Sequence, residues 1–128
     1  IMKSTLLADL DLEYANLPAI IDKHMLPELP GSFIKDKIID MKFNDERIKI
    51  ILQKPFNGRS CGSYNETDSA YLIIVDPTLD YTIRKSEVMS RFIEINMEML
   101  GFDSHELESY VRRFRESYLL REMNVSNV

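Results

Sequence analysis

The sequence predicts an α+β fold, and a change of hydrophobic period along the chain carries that prediction. Apolar residues first recur at three- and four-residue steps, then alternate with polar ones, then return to helical spacing. The order that follows is a kinked N-terminal helix, three strands and a C-terminal helical hairpin. The strands are expected to form a small antiparallel three-stranded sheet with the helices packed against it, since that arrangement buries every apolar stripe. Residues 1–128 read as a single domain, a length at which one hydrophobic core is the norm.

Each element has a local cause. Leu6, Leu7, Leu10, Tyr14 and Leu17 fall on one helical face, with Ser4 and Thr5 as candidate caps before it. Pro18 interrupts that helix, and Asn16 is expected to cap a second short one carrying Ile20, Ile21 and Met25. Pro27 and the Pro30-Gly31 pair end this region. Ile39, Met41 and Phe43 then alternate with Asp40 and Lys42, as in a half-buried strand. Asn44-Asp45 supplies turn chemistry, and Arg47 to Gln53 alternates again through Ile48, Ile50 and Leu52. This β-hairpin is the strongest local signal. Pro55 stops its second strand, and Lys54 to Asp68 reads as a polar loop. Ala70 to Val75 is a short β-branched run suited to a third strand in the sheet interior.

The closing half returns to the helical period. A helix starting around Thr82 to Ser86 carries a stripe of Val88, Met89, Phe92, Ile95 and Met99. Gly101 is placed to cap it, with Phe102 as cover. Asp103-Ser104 followed by Glu106 has capping-box spacing and opens the last helix, whose stripe is Leu107, Val111, Phe114 and Tyr118. The short connection makes the two an antiparallel pair. Residues 124–128 are expected to fray as a tail.

Composition excludes some classes of function. Apolar residues make up 45% and charged residues 29%, the balance of a chain that packs a core. The longest apolar run, Ala70 to Val75, is far below the roughly 20 residues of a membrane span, so no membrane partner is expected. The start lacks the basic and small-residue features of a secretory leader, and a single cysteine permits no intrachain disulfide, so a cytoplasmic location is expected. One cysteine and two histidines also argue against a metal site, and no cofactor is expected. A net charge of −5 disfavours nucleic acid, because phosphate neutralisation needs basic surface.

Two segments carry candidate site residues. The loop at 57–66 gathers two glycines with Arg59, Cys61, Tyr64, Asn65 and Glu66. Its glycines could present backbone N–H groups to an anion with Arg59 as counter-charge, although the Lys-Ser/Thr of a phosphate loop and its following helix are absent. A plain exposed loop of tolerant composition is the competing account. Cys61 would be a nucleophile only beside His24 or His105, and a thiol without a role is the simpler reading. The second segment is the last helix, where Tyr110, Arg113, Arg115 and Tyr118 are residue types that anchor protein interfaces. Its arginines are interleaved with Glu106, Glu108, Glu116 and Glu122, so a mixed solvated face is the alternative. Met89, Met97 and Met99 could line an adaptable groove, with core filling the expectation for Met89 and Met99.

At fold level the order of elements is similar to the helix, three strands and helix of double-stranded-RNA-binding domains. It is also similar to small, acidic, dimeric secretion chaperones that hold an effector segment. No motif of either is present, and acidity speaks against the first. With no complete catalytic constellation, the sequence leads to a non-enzymatic adaptor or chaperone-like protein that binds a protein partner and forms a homodimer. The alternative is a small enzyme or ligand-binding domain using the 57–66 loop, and the third reading is nucleic-acid binding.

Overall fold

Apolar alternation and two well-formed turns build a four-stranded sheet, and helices cover one of its faces. The computed structural model describes residues 6–25 and 31–126. Helix α1 spans Leu7–Tyr14, α2 Leu17–Asp22 and α3 Gly31–Ile34. Strands β1 Ile38–Phe43, β2 Glu46–Leu52, β3 Cys61–Asn65 and β4 Ala70–Val75 follow, and then helices α4 Tyr81–Met99 and α5 Ser104–Ser126. Residues 127–128 of the expected tail lie outside the described residues, as do Ser4, Thr5, Pro27 and Pro30.

Strand order corrects the predicted three-stranded antiparallel sheet. The order is β1-β2-β4-β3, with β1 antiparallel to β2, β2 parallel to β4, and β3 antiparallel to β4. The missed strand is β3, which lies inside the segment read as a polar loop. Cys-Gly-Ser-Tyr-Asn has neither β-branched residues nor apolar alternation, because β3 is an edge strand whose first three residues are exposed. Its pairing with β4 takes β4 into the interior of the sheet, where the sequence placed it. The four strands and the parallel pair also depart from the helix, three strands and helix of the RNA-binding likeness.

The predicted β1–β2 hairpin forms. Asn44 and Asp45 both take left-handed backbone angles, with φ 49° and 66°, as a two-residue turn of the twist-matched type requires. A side chain is tolerated there at a cost, so Asp45→Gly is expected to raise stability by about 0.5 kcal/mol. A urea-unfolding midpoint checks this, and an unchanged or lower midpoint contradicts it.

Inward residues of the sheet form the core with the helices. Met41, Phe43, Ile48, Ile50, Leu52, Tyr71, Ile73 and Val75 are buried, and Leu10, Tyr14, Leu17, Ile21 and Met25 meet them from the N-terminal helices. Phe92 of α4 is the hub, with its ring centroid 4.8 Å from Tyr71, 5.6 Å from Phe43 and 6.2 Å from Tyr14. Asn16 occupies the cap position of α2 with Pro18 in the first turn, which gives the predicted break after α1. Leu6 occupies the cap position before α1, and its N–H donates to the Asp9 carboxylate at 3.4 Å.

The buried arc of α4 differs from the predicted stripe. Met97 is buried and Met99 is 53% exposed, the reverse of what the apolar spacing implied. Polar residues on the buried side disguise the arc: Arg84, Lys85, Ser86, Ser90 and Asn96 lie there with Val88, Met89, Phe92, Ile93 and Met97. Most of them have a partner. Lys85 Nζ meets Asp22 Oδ1 at 2.7 Å and lies 5.1 Å from the Tyr118 ring centroid, so it ties α2 to α4 and α5. Arg84 Nη1 donates to the carbonyls of Pro77 and Leu79 at 3.1 and 2.8 Å, which pins the turn after β4. In that turn Asp76 accepts from the N–H and the hydroxyl of Thr78, and these bonds hold its carboxyl below the usual range.

The α4–α5 connection is capped on both sides as the sequence implied. Gly101, at φ 95°, lets its N–H reach Glu98 O at 3.0 Å while Phe102 N–H reaches Met97 O at 3.1 Å. Glu106 N–H then donates to Asp103 Oδ1 at 2.8 Å, and Asp103 N–H to Glu106 Oε1 at 3.3 Å. Helix α5 therefore folds back onto α4.

Candidate functional site

Two concave regions lie along α5, and both contain residues singled out in the sequence. The first is a groove between α1 and α5 of about 240 Å³, lined by Leu7, Asp11, Tyr110, Arg113, Phe114 and Arg121 among others. It continues toward Tyr14, Ala15 and Pro18. Its position follows from the aromatic packing: the Tyr14 ring lies 6.1 Å from Tyr110 and 6.4 Å from Phe114. The large rings hold the helices apart, and the gap above them is the groove. Tyr110 is nearly buried and donates its hydroxyl to Asp11 Oδ1 at 2.7 Å. Burial first, and then that bond to a carboxylate, push its phenol well above the ordinary range, so it stays a neutral donor.

The groove is bordered by two guanidinium groups, Arg113 and Arg121, and one carboxylate, Asp11. Arg113 is exposed, with its guanidinium 5.9 Å from the Tyr110 ring centroid, and Arg121 is exposed on the next turns of α5. Neither has a carboxylate partner among the described residues. The apolar floor is Leu7, Tyr110 and Phe114.

The second region is a cleft of about 320 Å³ lined by Gly58, Arg59, Ser60, Glu87, Arg91 and Arg115. A close approach of backbone to helix creates it. A Cβ on Gly62 would lie 2.7 Å from Ile95 Cδ1 and 3.3 Å from Arg91 Cβ, so glycine lets β3 sit this near α4 without displacing the Ile95 side chain. The preceding loop is thereby drawn over α4, where Ser60 Oγ donates to Glu87 Oε2 at 2.8 Å. Arg115 Nη2 reaches the other oxygen, Glu87 Oε1, at 3.3 Å from α5.

Comparison with family models, with curated proteins and with solved structures finds no match.

The two candidate sets are redistributed. Of Tyr110, Arg113, Arg115 and Tyr118, the first two share the α1–α5 groove and Arg115 belongs to the cleft. Tyr118 is 2% exposed and packs inside against Lys85. Of the loop residues, Arg59 lines the cleft, while Cys61, Tyr64 and Asn65 form β3 and Glu66 opens the turn into β4. Tyr64 faces the helices, with its ring 5.0 Å from Tyr71. Cys61 is exposed, and strand alternation turns it to the sheet face opposite the helices, whereas His105 lies on α5 and His24 in the turn after α2. Asn65 Oδ1 accepts from Asp68 N–H at 3.1 Å, a turn-forming bond. Arg91, Phe114 as a groove wall and Arg121 were not singled out as site residues. Phe114 read as core stripe, and Arg91 carries no sequence signal of its own. Among the described residues no group of three or more His, Cys, Asp or Glu could hold a metal ion, and no helix is long and apolar enough to cross a membrane.

One further surface is a by-product of register. The helices lie on the Tyr71 and Ile73 side, and the opposite face of the sheet aligns Ile38, Ile51, Ile74 and Cys61 in one row across all four strands. Ile38 is 63% exposed. The neighbouring positions are charged, and Arg47 bonds to Asp40 at 2.6 Å, which holds the Asp40 carboxyl below its usual range.

Proposed function

We propose that this chain is a protein-interaction domain of the adaptor or chaperone-like kind, taking an acidic amphipathic segment of a partner into the α1–α5 groove. The observation that carries the reading is the pair Arg113 and Arg121, two guanidinium groups without a carboxylate partner among the described residues, on the rim of an apolar-floored groove. Apolar groups at the base of a groove between α-helices take the apolar side chains of an amphipathic helix, and cations at its rim select carboxylates beside them. The groove is elongated, running from Leu7 past Phe114 toward Ala15 and Pro18, a shape that suits the successive side chains of an inserted helix.

A charge-swap experiment tests this. A fluorescent helical peptide with leucines four apart and flanking glutamates is expected to bind in fluorescence anisotropy, and the same peptide with lysines for glutamates is expected to bind roughly ten-fold more weakly. The double variant Arg113→Glu/Arg121→Glu, at exposed positions that leave folding intact, is expected to reverse that preference. Equal binding of both peptides, or no reversal, overturns the reading.

Self-association is a second part of the proposal, and the outer sheet face favours it. The occupant is a second copy: the row Ile38, Ile51 and Ile74 is apolar and crosses three strands, and a two-fold pairing would bury it against itself. Strand β1 is an edge that pairs on one side only. Sedimentation equilibrium is expected to give a dimer at micromolar concentration and a monomer for Ile51→Lys. A monomeric native chain counts against it.

A further inference from the structure

We infer that the cleft between the 57–60 loop, α4 and α5 is a binding site for a phosphate group, presented either as free phosphate or as a phosphomonoester. The inference stands independently of the groove. Three guanidinium groups from three different elements, Arg59 from the loop, Arg91 from α4 and Arg115 from α5, line one cleft with a single carboxylate, Glu87. The lining side chains thus carry a surplus of two positive charges in a protein whose net charge is −5. Like charges repel, so their convergence is costly unless an anion joins them.

The acceptors present do not match the donors. Glu87 is engaged on both oxygens, by Ser60 Oγ at 2.8 Å and by Arg115 Nη2 at 3.3 Å. Arg91 reaches Glu94 through Nη2 alone, at 3.4 Å. Its Nε is buried without a hydrogen-bond partner among the described residues. A buried N–H left unmatched costs free energy that a bound acceptor removes. Arg59 lines the cleft and has no ion pair among the described residues.

The chemistry of the ligand follows from these donors. Each guanidinium is a planar fork of N–H groups that matches oxyanions two at a time. A carboxylate has two oxygens and cannot satisfy three forks arriving from three directions. A phosphate group offers three terminal oxygens and close to two negative charges at neutral pH. It therefore matches the number of forks and the sign of the charge they carry in excess. Glu87 is the element that tunes the site: it fixes Arg115 and Ser60 in place and weakens the field, so phosphate is held reversibly.

The test is a titration of the nitrogen-15-labelled protein with inorganic phosphate and, separately, with O-phosphoserine, at constant ionic strength set with chloride. The Nε–H signals of Arg59, Arg91 and Arg115 are expected to shift saturably with one common affinity. Arg59→Ala, on an exposed loop, is expected to weaken that affinity roughly ten-fold. Glu87→Gln, which keeps the shape and removes the charge, is expected to tighten it several-fold, an opposite effect that structural damage would not produce. Tighter binding of O-phosphoserine than of phosphate assigns the site to a phosphorylated side chain, and the reverse order assigns it to the free ion. Shifts that do not saturate, or that chloride alone reproduces, overturn the inference, as does weaker binding by Glu87→Gln.

Discussion

Phe92→Ala is expected to lower folding stability by about 4 kcal/mol, enough to unfold a large fraction of a marginally stable domain. Phe92 is 1% exposed, and its ring packs edge-on against Tyr14, Phe43 and Tyr71 at centroid distances of 4.8 to 6.2 Å. Truncation removes the transfer energy of a large ring and leaves a cavity that three rigid aromatic neighbours cannot easily fill. It also loosens both concave regions, because Tyr14 spaces α1 from α5 and α4 carries Glu87 and Arg91. Phe56→Ala is the control. Phe56 is fully exposed, so its loss is expected to change stability by less than about 0.5 kcal/mol. Urea unfolding of the two variants measures the contrast, and equal midpoints would mean that α4 does not pack as described.

Asn96→Ala is the second large effect, expected at about 3 kcal/mol. Asn96 is 6% exposed and bridges two buried phenols: its Oδ1 accepts from the Tyr14 hydroxyl and its Nδ2 donates to Tyr71 Oη at 3.0 Å. Burial pushes the Tyr14 phenol far above its ordinary range, so it remains neutral and donates at all physiological pH. Without Asn96 both hydroxyls are stranded in the core, and an unmatched buried hydroxyl costs more than a well-matched bond contributes. Tyr14→Phe in the Asn96→Ala background is therefore expected to restore part of the lost stability, since it removes one stranded group. A double-mutant cycle by urea denaturation reads this coupling. Strictly additive losses would show that the three groups do not act together.

Asn96 also explains a limit of the sequence. Where side chains report burial directly, the pattern was legible: Ile48, Ile50 and Leu52 face inward as their alternation implied, and Asn44-Asp45 turns the chain. Caps were legible for the same reason, because Asp103, Glu106 and Gly101 act within a few residues of their position. Helix α4 was misphased because its buried side holds Lys85, Ser90 and Asn96, whose partners or surroundings come from other elements. Strand β3 has the composition of a loop because it is a largely exposed edge strand, and its glycine gives close approach to α4 where other strands use apolar side chains. Tertiary context decided both.

The candidate sites divide in the same way. Residue chemistry drew attention to Arg59 and to the arginines and tyrosines of α5, and those segments do border the two concave regions. Sequence separation hid the rest. In the sequence Arg59 and Arg115 fall in different candidate segments, whereas the fold brings them to one cleft across Ser60 and Glu87. Arg91 became visible only there. Tyr118 was attractive as an interface residue, but its ring is taken up by Lys85 in the interior.

The groove reading is tested most directly by mapping where an acidic amphipathic peptide binds. In a nitrogen-15 NMR titration of the native chain, the amides of Leu7, Ala15, Arg113 and Ser117 are expected to shift together and saturate, with little change at Ile51 and Ile74 on the outer sheet face. Saturating shifts centred on the outer face, or none at Leu7 and Ser117 at millimolar peptide, would contradict it.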